Sequence, residues 1–130
     1  MAQIAGTGID VIEVDRIERA LTRPATGERF RARVFTAGEV RYCESRGRPR
    51  FQSYAARFAA KEATMKALGT GWNRNVGWGE IEVVRERGKP PTIALSGKAA
   101  EFARRKQITK FHLSITHTAK EAIAHVIAES

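Results

Sequence analysis

Asp10, Glu62 and Lys66 are the residues of this chain whose types and spacing suit chemistry on a phosphate. The stretch Arg57 to Gly71 reads RFAAKEATMKALGTG, and at 100° per residue Glu62 falls in one stripe with Phe51, Phe58 and Met65, with Tyr54 and Ala55 beside it. A carboxylate among such side chains loses hydration and calls for a cation. Lys66, one turn on, answers that need as an ordinary i,i+4 pair. The opposite face, however, carries Ala56, Ala60, Ala63 and Ala67, which suits close packing on a second side and favours a metal or phosphate site over a surface pair.

Asp10 has two readings. With Glu13 three residues later it forms a capping box for the helix that follows. At the end of a strand beside Gly6 and Gly8 it is also placed to meet a ligand, and with Glu62 it makes a sparse oxygen site. Two carboxylates completed by water and phosphate oxygens suit Mg²⁺. Gly69-Thr70-Gly71 reads first as a helix C-cap, with Gly71 free to let backbone approach a ligand. His117 lies on the Phe111, Leu113, Ile115 face of its strand, at the open end. There it is either a hydrogen-bonded rim residue or a catalyst. His112 and His125 read as surface or partner contacts.

The elements that must position these groups follow from periodicity and punctuation. Gln3 to Ile9 reads as a strand in which Gly6 and Gly8 admit another backbone. A helix follows from about Glu13 to Thr22, with Val14, Ile17 and Leu21 inward and Pro24 as its stop. Arg16, Arg19 and Arg23 line its other face as an exposed cationic stripe. Thr36 caps a helix carrying Val40, Tyr42 and Cys43, residues 46–49 form a loop, and a long helix runs from Phe51 to Leu68. Residues 79–84 and 92–95 form a hairpin across Gly88-Lys89-Pro90-Pro91. Ser96 opens a helix to about Lys106, and residues 111–117 and 122–128 are two strands joined by a short turn. Strands paired by hairpins more than by crossovers predict an α+β fold, antiparallel strands packed on a long buried helix, in a single domain spanning 1–130.

Composition sets the outer bounds. At 130 residues, 42% hydrophobic and 28% charged, the chain reads as one soluble globular unit. No apolar run approaches a bilayer span and the N-terminus lacks a signal-peptide pattern, so a cytoplasmic protein without a membrane partner is expected. Cys43 stands alone, which excludes an internal disulfide and a multi-cysteine metal site. The net charge of +9 is uneven: eleven arginines lie from Arg16 to Arg57. Such a surface wants an anionic partner, whether nucleic acid, an acidic protein or a phosphorylated cofactor.

Three separated segments resemble one family. Gly6-Thr7-Gly8-Ile9-Asp10-Val11-Ile12-Glu13 followed by Arg16-Ile17, the Phe-Ala-Ala-Lys-Glu-Ala-x-x-Lys-Ala-x-Gly-Thr-Gly pattern, and Leu113-Ser114-Ile115-Thr116-His117-Thr118 are similar, in order and spacing, to the short 4′-phosphopantetheinyl transferases of the holo-[acyl-carrier-protein] synthase type. The resemblance implies transfer of the 4′-phosphopantetheine arm from coenzyme A to a serine of apo acyl carrier protein, releasing adenosine 3′,5′-bisphosphate. It implies Asp10 and Glu62 as Mg²⁺ ligands and Glu62, Lys66 and Asp10 as the catalytic group, with Lys66 near the reacting phosphate. Lys61, Lys66, Gly69, Gly71 and His117 are implied around the coenzyme. Arg16 is implied to meet acidic residues of the carrier protein, and the exposed stripe that it forms with Arg19 and Arg23 is expected to serve the same recognition. A homotrimer with sites between subunits is implied as well. Glu121, where many members carry an aromatic residue, and Thr116, in place of a frequent serine, depart from the pattern.

A basic nucleic-acid-binding module, using the arginine stripe and the two tryptophans, is the competing reading. It accounts for the charge but leaves Asp10, Glu62 and Lys66 unexplained as a group. On balance no nucleic-acid partner is expected.

Overall fold

Gly6 and Gly8 set how the chain is assembled, because they bring the first strand against the backbone of the long helix. An ideal Cβ on Gly6 would lie 2.0 Å from the carbonyl oxygen of Ala67, and one on Gly8 would lie 2.0 Å from that of Ala63. No side chain fits there. The computed structural model describes residues 2–70 and 76–130. In it, β1 (Ile4–Glu13) leads into α1 (Val14–Thr22), α2 (Gly27–Val34), α3 (Ala37–Ser45) and the long α4 (Arg50–Leu68). A 3-10 turn at Trp78–Glu80 precedes β2 (Ile81–Val84), β3 (Thr92–Leu95), α5 (Gly97–Arg105), β4 (Lys110–His117) and β5 (Glu121–Glu129).

The architecture is the expected α+β. β5 lies between β1 and β4 in an antiparallel sheet of order β1-β5-β4, and β2 pairs with β3 in a separate hairpin. α4 lies across the larger sheet. β5 presents Ala122, Ala124, Val126 and Ala128 as its buried face, and these short side chains complement the small residues Ala59, Ala60, Ala63 and Ala67 of the helix. Phe58 stacks on Trp78 at 4.9 Å between centroids, and Phe35 meets Tyr54 edge-on at 4.8 Å.

Three sequence expectations are corrected. β1 continues to Glu13, so Asp10 is a strand residue opposite Ala124 and does not cap α1; Glu13 holds the N-cap position without a side-chain cap bond. The helix α2 was not expected after Pro24, since its sequence GERFRARV is polar and short and only Gly27 and Val34 are buried. Residues 79 and 80 belong to the 3-10 turn instead of the β2 strand. The Thr36 cap is as expected: its hydroxyl accepts from Glu39 N–H at 3.2 Å, and the Glu39 carboxylate accepts from Thr36 N–H at 2.8 Å. Among the described residues no helix is long and apolar enough to cross a membrane.

Candidate active site

From Ser53 to Leu68 every residue of α4 is buried except Glu62 and Lys66. The long helix therefore has one opening along this stretch, and it holds a carboxylate and an ammonium. β1 faces it. Because side chains alternate along a strand, the face that carries Gly6 and Gly8 against α4 also carries Asp10, and the Asp10 side chain is only 12% exposed.

Lys66 Nζ donates to Asp10 Oδ1 at 3.2 Å and to the Ile9 carbonyl at 2.8 Å. The ordinary Glu62–Lys66 helix pair is thus replaced by a contact between α4 and β1. Asp10 Oδ2 is buried and has no hydrogen-bond partner. An orphaned carboxylate oxygen is costly, and the group that satisfies it must be a donor or a cation. Burial, and then the Asp10 charge, push the Glu62 carboxyl up from its ordinary value, while Lys66 and Arg16 oppose that rise. Asp10, Glu62, Lys66 and Arg16 therefore form one electrostatic unit.

The donors at this unit suit Mg²⁺: two carboxylates, one with a free buried oxygen, leaving coordination positions for water and phosphate. Among the described residues no group of three or more His, Cys, Asp or Glu side chains is placed to hold a metal.

His117 is elsewhere. It lines a cavity of about 610 Å³ whose wall also carries Tyr42, Arg46, Arg57, Arg85 and Arg87. Arg57 is 6% exposed, its guanidinium lies 4.1 Å above the Tyr42 ring, and its Nε is buried without a partner. A buried cation with an unused N–H, stacked on an aromatic face, is suited to the oxygens of a phosphate or a carboxylate. Sequence reasoning missed this cluster. The available signal was Arg57 itself, an arginine set among alanines and phenylalanine on a helix with little exposed surface.

The two groups do not share a pocket within one chain. None of Asp10, Glu62 and Lys66 lines the arginine cavity. β5 separates β1 from β4, which puts the strands that carry Asp10 and His117 about 10 Å apart. On α4, Arg57 and Glu62 point about 140° apart.

The remaining expectations sort cleanly. Gly69 is the left-handed C-cap of α4 at φ 80°, and Lys106 Nζ donates to the neighbouring Leu68 carbonyl at 2.7 Å. Gly71 lies outside the described residues, as does Trp72. Arg16, Arg19 and Arg23 are exposed while Val14, Ile17 and Leu21 are buried, so the stripe faces solvent. Lys61 is corrected: it is fully buried, paired with Glu39 at 2.8 Å, and donates to the carbonyls of Trp78 and Ile81. Burial lowers its pKa, with Glu39 opposing. Its ammonium serves the core and is not directed toward a coenzyme.

Comparison with known proteins decides the family. The family model described as the 4′-phosphopantetheinyl transferase superfamily matches residues 6–124. The chain belongs to this superfamily. A holo-[acyl-carrier-protein] synthase of Solibacter usitatus is 49% identical over 127 residues, covering 98% of this chain and 99% of that protein. The crystal structure of the Neisseria meningitidis holo-[acyl-carrier-protein] synthase superposes with a TM-score of 0.87 at 29% identity, covering 98% of this chain and all of that one (100%). The Bacillus anthracis holo-(acyl-carrier-protein) synthase, solved in complex with CoA (3′,5′-ADP), gives a TM-score of 0.79 at 35% identity, with 98% and 97% covered. The phosphopantetheinyl transferase fold read from the three motifs is the fold observed.

Proposed function

We propose that this chain transfers the 4′-phosphopantetheine arm of coenzyme A to a serine hydroxyl of an apo acyl carrier protein. The observation that carries the reading is the Asp10–Glu62–Lys66 opening in an otherwise buried helix, with one carboxylate oxygen left for a cation. The names of full-length relatives and the coenzyme A complexes among solved neighbours support it.

In the reaction the serine oxygen forms a bond to the pantetheine-bearing phosphorus as that phosphorus parts from the other phosphate of the diphosphate. Adenosine 3′,5′-bisphosphate leaves. Asp10 and Glu62 would hold Mg²⁺, which when bound neutralises diphosphate charge and favours in-line attack. Glu62, directly or through a water, takes the serine proton, and its raised pKa suits a base. Lys66 is placed to offset charge that builds on the departing phosphate. The arginine cavity with His117 is suited to the phosphorylated nucleoside end of the coenzyme.

Because cavity and carboxylates face apart in one chain, we read the site as shared between copies. The outer face of the larger sheet carries Ile9 and Val11, 58% and 53% exposed, with Ile123 opposite Val11 on β5. An apolar sheet face of this kind is suited to contact between copies of a homotrimer. The alanine face of α4 is already used inside the chain. On this reading an acidic face of the carrier protein docks on Arg16, Arg19 and Arg23. α2 adds Arg29 and Arg33, which with Arg23 ring a groove floored by Phe30 and Ala20. The setting is cytoplasmic.

The first test is thermal. Coenzyme A with Mg²⁺ should raise the melting temperature, as a ligand of the native state must. A melting temperature that ignores both ligands and rises with oligonucleotide would favour a nucleic-acid module and overturn the reading.

A further inference from the structure

Glu39 and Lys61 are among the most deeply buried side chains of the molecule, 1% and 0% exposed, and neither reaches the carboxylate opening or lines the arginine cavity. Their contacts are complete. Lys61 Nζ is 2.8 Å from Glu39 Oε1 and donates to the Trp78 carbonyl at 2.9 Å and to the Ile81 carbonyl. Glu39 Oε1 also accepts from Thr36 N–H, and Oε2 accepts from Val83 N–H, each at 2.8 Å. Three ammonium protons and both carboxylate oxygens are therefore used, and the pair joins α3, α4, the 3-10 turn and β2 at one point.

Such a pair is weak evidence for stability, since desolvating two charges offsets most of their attraction and apolar side chains of like volume often serve the fold as well. What it supplies is register. Two of the elements it joins, and the turn that follows a third, wall the arginine cavity at short offsets: Tyr42 follows Glu39 by three residues on α3, Arg57 precedes Lys61 by four on α4, and Arg85 follows Val83 by two, just past the end of β2. Tyr42 and Arg57 are themselves stacked at 4.1 Å. A change in how α3 and β2 sit on α4 would alter that stack and the spacing of the arginines.

We infer that Glu39 and Lys61 are positioning residues for the nucleotide end of the coenzyme, acting through Tyr42, Arg57 and Arg85 without touching the ligand. The inference rests on the reading of the cavity as the nucleotide site. It separates nucleotide affinity from the chemistry at Asp10 and Glu62, which face another side of α4.

The test uses two variants of the full chain: Glu39→Gln, and the apolar double variant Glu39→Leu with Lys61→Met. The readouts are melting temperature, calorimetric affinity for adenosine 3′,5′-bisphosphate, and KM and kcat for coenzyme A. The double variant should keep a melting temperature within a few degrees of wild type yet bind the bisphosphate at least tenfold more weakly, with KM for coenzyme A raised to match and KM for the carrier protein unchanged. Glu39→Gln should weaken the bisphosphate severalfold, and it decides the matter alone if the double variant fails to fold. Bisphosphate affinity within twofold of wild type in folded variants would overturn the inference and leave the function standing. Wild-type protein that binds no bisphosphate would overturn the cavity reading and the inference with it.

Discussion

Lys66 is bonded to Asp10 and not to Glu62, although Glu62 lies one turn away on the same helix. The 3.2 Å contact between Lys66 Nζ and Asp10 Oδ1 joins α4 to β1 and leaves Asp10 Oδ2 buried and free. Lys66 still acts on Glu62 through space, since its charge restrains the rise in the Glu62 pKa. One ammonium thus holds one carboxylate and tempers the other.

Asp10→Asn and Glu62→Gln keep shape and remove charge. Each should lower transfer on the order of a hundredfold or more at limiting Mg²⁺, the scale of losing one charged group beside a reacting phosphate. Circular dichroism should remain native. Turnover near wild type in either variant would remove the two-carboxylate site. Lys66→Ala should lower kcat more than it raises KM for coenzyme A, because its charge is needed as the phosphate departs.

Much of this was legible in the sequence because it is local. The 3.6-residue period gave α4 and the α1 stripe, Thr36 ahead of Val40, Tyr42 and Cys43 gave a cap, and Gly6 and Gly8 announced a close backbone approach that Ala63 and Ala67 provide. What was not legible depends on contacts distant in the chain. Nothing near Lys66 says that it will choose an aspartate 56 residues away. Likewise Lys61, implied near the coenzyme, is claimed by Glu39, two carbonyls and complete burial. The arginine cavity draws on α3, α4, the β2–β3 turn and β4, so no single segment carries its signature.

Gly8→Ala should destabilise by about 3 kcal/mol or more, because the new methyl would meet the Ala63 carbonyl oxygen at 2.0 Å and backbone cannot move aside cheaply. Gly79→Ala is the control. With nothing within 4 Å of its Cβ position it should stay within about 0.5 kcal/mol of wild type in urea denaturation.

The stripe on α1 has two duties that salt and pH separate. Arg19→Glu and Arg23→Glu should raise KM for the carrier protein about tenfold at low salt, leave KM for coenzyme A unchanged, and flatten the salt dependence. Arg16→Glu should do this and also move the acid limb of the rate profile to higher pH, since Arg16 helps keep Glu62 ionised and its loss lets the Glu62 pKa rise further. An acid limb that stays in place would detach Arg16 from the site.

Acid stability should involve Glu80. Burial pushes its carboxyl up, but backbone N–H groups of Gly77, Lys98 and Ala99, at 3.1, 3.0 and 3.2 Å, together with the Lys98 charge, outweigh that and hold it below the ordinary value. A depressed carboxylate binds protons more tightly in the unfolded chain. Its stabilisation is therefore complete above the unfolded pKa and is lost as pH falls through the folded one. Glu80→Gln should cost stability at pH 7 and progressively less toward pH 3, followed by thermal melts across that range. A cost independent of pH would show that the hydrogen bonds matter and the charge does not.

The most direct measurement is the mass of an apo acyl carrier protein after incubation with this protein, coenzyme A and Mg²⁺, with release of adenosine 3′,5′-bisphosphate followed in the same samples. The account predicts that the carrier gains one phosphopantetheine on serine, that one bisphosphate appears for each, and that both are lost with Glu62→Gln or with chelator. Carrier proteins that keep their apo mass while the wild-type enzyme is folded and supplied with both ligands would contradict it.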